Sequence, residues 1–311
     1  MRIYALRRST APLPLIRYEL LRTQKPHTTA VLVLAVDQTS SHLATGAADG
    51  VVKVWDISGG YVTHTFGGPN ILISALHFFK LVVDDSNQEV LISARNRRKE
   101  RRKSDLADIS DDNTQGFRLA SGSQDGKVRI YDLRTKKIAS VLDSHVSDVT
   151  ALDYSAEQSA LLTASRDKTI MWWDTKTWKV RKVVPVLEEV EAAGFIESGS
   201  LTYTGGVKGN LRVWQSDNGR EITQPQSSKG DGDAIVSAIS IPGLPYIISI
   251  REDHTMILHS LEGLSSYNDT IPALPQVRRI SGTHDEIIDL GYLLPDRYVT
   301  SPTLLYYFPC S

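Results

Sequence analysis

The chain has 311 residues, of which 41% are hydrophobic and 23% are charged, the proportions of a globular protein. Its 35 Lys and Arg residues nearly balance 36 Asp and Glu residues, which excludes a global electrostatic attraction to nucleic acid or membrane. A single cysteine, Cys310, excludes an intrachain disulfide framework and a cysteine-based metal site.

The first predicted element lies at the N-terminus. RIYAL at residues 2–6 is similar to RIYDL at residues 129–133, so residues 1–6 are predicted to be the terminal strand of a repeat. The alternative is a transit peptide, because the first 18 residues contain several arginines and no acidic residue. The strand is the better prediction because it has a counterpart within the chain. No apolar run reaches the roughly 18 residues that a membrane helix needs.

A turn containing aspartate, followed by a β-branched run and an aromatic-Asp pair, recurs along the chain. GAADGVVKVWDI at residues 46–57 and GSQDGKVRIYDL at residues 122–133 are the clearest copies. In three copies the two aspartates lie seven positions apart, with an aromatic residue before the second: Asp49, Trp55 and Asp56; Asp125, Tyr131 and Asp132; and Asp167, Trp173 and Asp174. Degenerate copies occupy residues 208–215, 253–260 and 301–308.

The spacing of these copies predicts the fold. Apart from one step of 76 residues, successive turns begin 41 to 48 residues apart, and the short runs between them are rich in Val and Ile. Four strands in a unit of this length are typical of a blade, so we predict an all-β propeller of six or seven blades, incomplete or imperfectly closed. The predicted single propeller spans residues 1–311, with repeats at 7–57, 58–133, 134–175, 176–216, 217–261 and 262–308.

A histidine lies 22 residues before two of the turn aspartates, His27 before Asp49 and His145 before Asp167. Together with the aromatic-Asp pairs, this spacing resembles the WD-repeat family, whose fold is the WD40 β-propeller. The resemblance implies a buried hydrogen-bonded set of a His, a Ser or Thr two residues before the turn Asp, that Asp and the aromatic residue. The implied sets are His145, Ser165, Asp167 and Trp173, and a less complete one of His27, Asp49 and Trp55, in which Ala47 occupies the hydroxyl position.

The same residue types also occur in hydrolase triads. Their recurrence with the repeat, and the lack of a G-x-S-x-G elbow, favour a structural role, because a buried Asp and a buried His must be paired. The sequence also lacks a phosphate-binding glycine loop and a paired-histidine metal spacing. We therefore predict no enzyme activity, no cofactor and no metal.

The long step between the first two turns contains a charged insertion, predicted at residues 94–116. Its basic run holds seven cations: Arg95, Arg97, Arg98, Lys99, Arg101, Arg102 and Lys103. A segment with so little apolar content is predicted to be a disordered loop between two strands. The run indicates an RNA phosphate contact or a nuclear-import signal, and the alternative is a solvated surface insertion without a function of its own.

Two acidic segments have structural interpretations. EEVE at residues 188–191 is predicted to be a solvated rim rather than a catalytic carboxylate pair. SKGDGD at residues 228–233 lacks the closing Glu of a calcium loop, so it is predicted to be a hairpin turn.

Two segments, residues 43–68 and 165–195, carry a more specific resemblance. They are similar to the transducin-beta-like WD-repeat subunits of the UtpB module of the small-subunit processome, and the similarity extends over most of residues 28–303. The resemblance implies a non-catalytic scaffold of the nucleus and nucleolus that acts in ribosome biogenesis and rRNA processing. The implied partners are other processome subunits, pre-rRNA and small nucleolar RNA in a snoRNP particle, with no membrane and no small-molecule substrate. Members of that family are longer, so the sequence is expected to be a fragment, an isoform or a truncated gene model.

The alternative function is a protein-interaction adaptor such as a ubiquitin-ligase substrate receptor. YDLR at residues 131–134 resembles the Trp-Asp-x-Arg motif with which such receptors dock on their ligase, but it is a match of four residues with a changed aromatic. A propeller enzyme would need convergent polar residues at the centre of the ring, and the sequence indicates no such set.

Overall fold

The computed structural model describes residues 2–8, 16–23, 27–68, 70–81, 116–196, 199–223, 233–262, 264, 274–281, 287–293 and 304–309. The regular elements of these residues are β-strands, numbered β1 to β23 in chain order. None of the described residues forms a helix that is long and apolar enough to cross a membrane.

Five antiparallel sheets, here named blades one to five, follow one another along the chain, and neighbouring strands in each are consecutive in sequence. Blade one consists of β3 (Val31–Val36), β4 (His42–Ala47), β5 (Val52–Asp56) and β6 (Val62–Phe66). Blade two consists of β7 (Ile73–Lys80), β8 (Phe117–Ser123), β9 (Lys127–Asp132) and β10 (Lys137–Asp143). Blade three consists of β11 (Val149–Ser155), β12 (Ala160–Ser165), β13 (Thr169–Asp174) and β14 (Val180–Pro185). Blade four consists of β15 (Val190–Ile196), β16 (Leu201–Gly206) and β17 (Leu211–Gln215), and blade five of β18 (Ile235–Ser240), β19 (Tyr246–Arg251), β20 (Met256–Ser260) and β21 (Gln276–Ile280).

Two further pairs of strands lie near the chain ends. β1 (Arg2–Arg8) pairs with β2 (Ile16–Thr23), and β22 (Ile287–Leu293) pairs with β23 (Leu304–Pro309), both antiparallel. β1 carries the RIYAL segment, and it pairs with the strand after it just as β9 pairs with β10. RIYAL is thus paired as RIYDL is, and its assignment to the terminal strand of a repeat stays a prediction.

The blades pack on one another through their first strands. β3 lies beside β7, β7 beside β11, β11 beside β15, β15 beside β18, and β18 beside β22. A single sheet of this kind cannot bury both of its faces, so each blade covers its neighbour, as in a β-propeller. The prediction of an all-β fold is confirmed.

The hydrophobic core lies between neighbouring blades. One cluster joins Phe79 of blade two to Leu161 and Trp173 of blade three, all buried. The blades approach so closely that a Cβ atom at Gly122 would lie 2.7 Å from the Val149 side chain. Glycine is therefore required at the end of β8 for the two blades to pack.

The antiparallel strand order sorts the loops onto two faces. The upper face, as named here, carries the loops that lead into the first strands and the loops between the second and third strands. The lower face carries the loops between first and second strands and between third and fourth strands. The Asp-Gly turns lie on the upper face, where Gly50 (φ 77°) and Gly126 (φ 76°) adopt the left-handed backbone conformation that favours glycine.

In the sequence, the predicted charged insertion lies between β7, which ends on the lower face, and β8, which begins there. The chain leaves this face at Leu81 and returns at Gly116, where the Leu81 N–H donates to the Gly116 carbonyl at 3.0 Å. Residues 82–115, including the whole basic run, lie outside the described residues.

The predicted repeat boundaries stay predictions. Those at residues 57, 133 and 175 fall after the third strands of blades one, two and three. Each of these sequence repeats therefore ends inside a blade, and the fourth strand of that blade belongs to the next repeat.

Candidate functional site

In each of the five blades, a hydroxyl on the second strand bonds to a side chain on the third strand, ten residues later. The pairs and the distances between their polar atoms are Thr45 and Trp55 (3.0 Å), Ser121 and Tyr131 (3.4 Å), Thr163 and Trp173 (3.0 Å), Thr204 and Trp214 (2.9 Å), and Ser249 and His259 (2.9 Å). All ten side chains belong to buried residues. In the three tryptophan pairs the indole Nε1–H donates to the threonine Oγ1.

Blade three extends this pair into a larger polar set. His145, in the loop before β11, lies with Nε2 2.8 Å from Thr163 Oγ1 and with Nδ1 2.7 Å from Asp167 Oδ2. The Asp167 carboxylate also accepts hydrogen bonds from the hydroxyl and the N–H of Thr169, and from the N–H of Val146. The set therefore joins two upper-face loops to the second and third strands.

The linking hydroxyl belongs to Thr163 rather than to the predicted Ser165. Ser165 Oγ instead donates to the Ser147 carbonyl and accepts from the Asp167 N–H. The strand pairing gives the reason, because the backbone of Trp173 lies opposite Leu161. Thr163 is two residues further along that strand, roughly 7 Å away, whereas Ser165 is four residues along, beyond reach of the indole.

Blade one contains the same link, although its predicted set of His27, Asp49 and Trp55 has no hydroxyl. His27 Nε2 lies 2.8 Å from Thr45 Oγ1, and Trp55 donates to the same oxygen. Ala47 therefore leaves no gap between the histidine and the tryptophan, because Thr45 supplies the hydroxyl. The turn residue Asp49 accepts a hydrogen bond from the Val51 N–H at 3.0 Å.

Burial and hydrogen bonding shift the pKa values of His145 and Asp167 in blade three. Burial lowers the pKa of His145, and the hydrogen bond and charge of Asp167 oppose that effect only in part. Burial pushes the pKa of Asp167 upwards, but hydrogen bonds from Thr169 and His145 outweigh it, and the pKa lies below its usual value. The side chains of His145 and Asp167 are 0% and 4% exposed, and Thr163 is fully buried, so a substrate has no access to this hydroxyl.

Blade two uses an arginine on its upper face. Arg129 Nη1 donates to Ser123 Oγ at 2.7 Å, and its Nη2 lies 2.9 Å from Asp125 Oδ2. Asp125 is the turn aspartate of this repeat, so Arg129 binds the turn carboxylate of blade two as His145 binds that of Asp167 in blade three. No pattern in the sequence singles out Arg129, because it lies two residues before the aromatic Tyr131 in a run that is otherwise typical of a buried strand.

Blade four contains a buried ion pair that corrects the prediction for the EEVE segment. Glu188 is 2% exposed and its Oε1 lies 3.0 Å from Arg212 Nη2, while its Oε2 accepts the Lys208 N–H. Glu191 pairs with Arg166 at 2.8 Å. The segment is therefore not a solvated rim, because alternation along the chain turns Glu188 into the blade interior. Gly206 makes room for it, since a Cβ there would lie 2.5 Å from Glu188 Oε2.

The repeat-end aspartates hold the turns on the lower face. Asp56 Oδ1 accepts the N–H of Gly59, and the carboxylates of Asp132 and Asp174 each accept two N–H groups of the loop that follows. Asp132 also pairs with Arg118 at 3.0 Å, and Asp174 with Arg181 at 2.7 Å. The Arg181 hydrogen bond lowers the pKa of Asp174 to about 2.

The remaining predicted residues are distributed as follows. The basic run from Arg95 to Lys103 lies outside the described residues, as does all of the SKGDGD segment except Asp233. In YDLR, Tyr131 is buried and Arg134 is exposed on the lower face. Within the part of the chain that the structure describes, no group of three or more His, Cys, Asp or Glu residues could hold a metal ion.

Comparison with known proteins supplies a family and relatives. The family model described as "Nucleolar protein 10-like, N-terminal domain", a β-propeller, matches residues 18–199. Transducin beta-like protein 3 from Bos taurus is 27% identical over 282 residues, which cover 87% of this chain and 30% of that protein. U3 small nucleolar RNA-associated protein 13 from Saccharomyces cerevisiae is 28% identical over 277 residues, which cover 85% of this chain and 30% of that protein. The chain thus spans 30% of the length of these relatives, and the predicted resemblance to the transducin-beta-like proteins is confirmed.

Solved structures supply the fold. The crystal structure of the RRP9 WD40 repeats superposes with a TM-score of 0.64 at 16% identity, over 88% of this chain and 73% of that one. At this identity the likeness concerns the fold alone. The prediction of a WD40 β-propeller is confirmed.

Proposed function

The chain belongs to the nucleolar protein 10-like N-terminal propeller family, and on that premise we propose that it is a non-catalytic scaffold of ribosome biogenesis in the nucleolus. The observation that carries the proposal is the extent of similarity to two relatives, which covers 87% and 85% of this chain. One of them is named for its association with the U3 small nucleolar RNA. The proposed partners are the protein subunits of the small-subunit processome, in particular its UtpB module, with pre-rRNA and small nucleolar RNA.

The geometry of the polar sets supports a role without catalysis. The His145, Thr163 and Asp167 side chains resemble a triad in composition, but each polar atom of the hydroxyl and imidazole is occupied inside the blade. The hydrogen bond between a second-strand hydroxyl and a third-strand side chain recurs in all five described blades. Such recurrence is expected of an interaction that stabilises each blade, whereas a reactive centre would occur once. We therefore assign these sets to stability, which leaves the exposed loops as the surfaces for partners.

A sedimentation experiment tests the scaffold proposal. The tagged chain is fractionated from cell extract on a sucrose gradient, and each fraction is probed for small nucleolar RNA and pre-rRNA. We expect co-migration with both RNAs in a large particle that RNase treatment disperses. A peak at monomer size, with no RNA in those fractions, would contradict the proposal, and capture of a cullin-type ligase adaptor that Arg134→Ala abolishes would favour the adaptor function instead.

The basic run at residues 95–103 is proposed to contribute an RNA phosphate contact or to direct nuclear import. Replacing Arg97, Arg98, Lys99, Arg101, Arg102 and Lys103 by Gln is expected to weaken binding of the purified chain to RNA and to flatten its salt dependence. The same variant carrying a green fluorescent tag reports import separately. If both RNA binding and nuclear accumulation are unchanged, the run is a surface insertion without either function.

A further inference from the structure

The lower face of blades two and three carries a concentration of positive charge. The loops between the third and fourth strands, residues 133–136 and 175–179, each contain two Lys or Arg residues and no acidic residue, and Lys137, Arg181 and Lys182 follow at the starts of β10 and β14. The described loop between the first and second strands of blade three adds one acidic residue to this face, Glu157. The upper-face loops of the same blades, residues 124–126, 144–148 and 166–168, contain three aspartates and two cations. The chain as a whole has a net charge of −1, so this asymmetry is local. In these two blades the excess of positive charge lies on the lower face.

Four of these cations are available to a ligand. Arg134, Lys136, Lys137 and Lys179 are exposed, and their side chains make no hydrogen bond or ion pair within the residues that the structure describes. The aspartates nearest to them in sequence, Asp132 and Asp174, are already paired with Arg118 and Arg181. The charge of the exposed cations is therefore not cancelled by the repeat-end aspartates.

An aromatic side chain lies among these cations. Trp178 is between Lys176 and Lys179, and its ring packs edge-on against Phe79, with 6.3 Å between the ring centroids. Of the five tryptophans, all in the described part of the chain, the other four are 2% to 6% exposed, whereas Trp178 is only partly buried. Cations with an interleaved, accessible aromatic ring are the combination that binds phosphates and stacks on unpaired bases.

The backbone conformation also marks this position. Trp178 has φ 55°, in the left-handed region, and it follows the repeat-end Asp174 by four residues. The equivalent residues in blades one and four are Gly60 (φ 66°) and Gly219 (φ 72°), which adopt this conformation without strain. The equivalent residue in blade two, Lys136, also has a left-handed backbone (φ 57°), so this turn position is not restricted to glycine. The Trp178 ring packs against the core between blades two and three, and the part of the ring that stays exposed is available to a base.

We propose that the segments at residues 133–137 and 175–182, which are the two loops and the first residues of the strands that follow them and are here named the lower-face basic surface, bind single-stranded RNA. Arg134, Lys136, Lys137 and Lys179 contact phosphates, and Trp178 stacks on a base. The inference rests on the proposed function, which brings the chain into an RNA-containing particle, and it assigns the RNA contact to described propeller loops. Blades two and three are neighbours, and Trp178 in the loop of blade three contacts Phe79 of blade two on this face.

Binding of the purified full chain to a labelled single-stranded RNA of about 20 nucleotides tests the surface, with fluorescence anisotropy measured between about 50 and 200 mM salt. The surface variant combines Lys136→Gln, Lys137→Gln and Lys179→Gln. The charge-matched control combines Lys168→Gln, Lys208→Gln and Arg278→Gln, which are exposed elsewhere on the molecule. We expect the surface variant to bind about tenfold more weakly and to lose about 2 from the slope of log affinity against log salt, and the control to match the unmodified chain.

A second variant tests stacking. Trp178→Gly removes the ring while suiting the left-handed backbone, as Gly60 and Gly219 do. We expect about tenfold weaker RNA binding and loss of the tryptophan fluorescence quenching that RNA causes in the unmodified chain. Far-UV circular dichroism and the thermal midpoint show whether each variant is folded before its binding is interpreted.

The outcomes separate this surface from the scaffold function. Equal salt slopes for the surface variant and the control would overturn the proposal. It would also be overturned if poly-glutamate bound the chain as tightly as RNA does, or more tightly, and Trp178→Gly had no effect on RNA binding. A chain that co-migrates with the particle but binds no RNA after purification overturns the surface and leaves the scaffold proposal standing. RNA binding that needs the lower-face cations, without co-migration in extract, supports the surface and contradicts the scaffold.

Discussion

His145 Nδ1 lies 2.7 Å from Asp167 Oδ2, and the two side chains are 0% and 4% exposed. The residues are 22 positions apart, and the bond joins the loop before β11 to the turn between β12 and β13. Thr163 connects the same imidazole to Trp173 on the third strand. Two loops and two strands are thus held by four buried side chains, and the contribution of each can be measured by substitution.

The Thr163→Val substitution tests the linking hydroxyl. Valine has nearly the same shape but leaves the His145 ring nitrogen and the Trp173 indole N–H without their common partner. Buried polar groups that lose a partner cost about 1–3 kcal/mol each, so we expect the free energy of unfolding to fall by at least that amount. Urea denaturation measures it, with the exposed Thr135→Val as the matched control, for which no change beyond about 0.5 kcal/mol is expected. A larger loss for Ser165→Ala than for Thr163→Val would contradict the assignment of the link.

Trp173 on β13 and Trp178 in the loop that follows it differ in burial. Trp173 is 3% exposed and packs in the core between blades two and three, so Trp173→Ala is expected to cost about 3–5 kcal/mol. Trp178 lies on the lower face and is only partly buried, so Trp178→Gly is expected to cost much less. Thermal unfolding followed by circular dichroism compares the two variants. Equal midpoints would show that the core between these blades does not depend on Trp173.

Protonation of His259 is expected to destabilise the protein in mild acid. Burial first, and the Arg251 charge second, lower its pKa to about 4, while the unfolded chain has an ordinary value of about 6.5. Between these pH values the unfolded state binds the proton and the folded state does not, so the free energy of unfolding falls as the pH falls. Across the whole window the loss from this residue is about 3 kcal/mol.

The His259→Gln variant isolates this contribution. Glutamine keeps a polar group that can reach Ser249 Oγ but does not titrate, so the loss of stability between about pH 7 and pH 4 should be smaller than in the unmodified chain. Urea midpoints at several pH values measure the difference. The pKa values of His27 and His145 are also lowered by burial, and these residues are present in both proteins, so the difference between the two curves belongs to His259. Parallel curves would contradict the prediction.

The space beside Glu188 is expected to tolerate no larger residue at position 206. A Cβ atom at Gly206 would lie 2.5 Å from Glu188 Oε2 and 2.6 Å from its carboxyl carbon. Gly206→Ala should therefore displace the buried carboxylate from Arg212 and cost about 1–3 kcal/mol. Gly67→Ala is the control, because a Cβ there meets nothing within 4 Å. Similar urea midpoints for the two variants would show that Glu188 can move without loss of stability.

The fold class and the positions of the turns follow from the sequence alone. The Asp-Gly turns, the aromatic-Asp pairs and the Val- and Ile-rich runs recur because each blade must present the same strands and turns to its neighbours, and local chemistry suffices to form them. The recurring distance of 22 residues also identifies His27 and His145, together with the turn aspartates that follow them, as corresponding residues of two repeats. Repetition makes such residues visible without knowledge of any contact.

The contacts between side chains, in contrast, depend on how the strands pair and pack. Spacing placed the linking hydroxyl at Ser165, whereas the register between β12 and β13 brings Thr163 to Trp173. Composition placed Glu188 in a solvated rim, whereas Arg212 of the same blade makes its burial possible. Strand register and the residues supplied by neighbouring elements are set by long-range pairing. A linear pattern, which reports periodicity along one strand at a time, does not contain them.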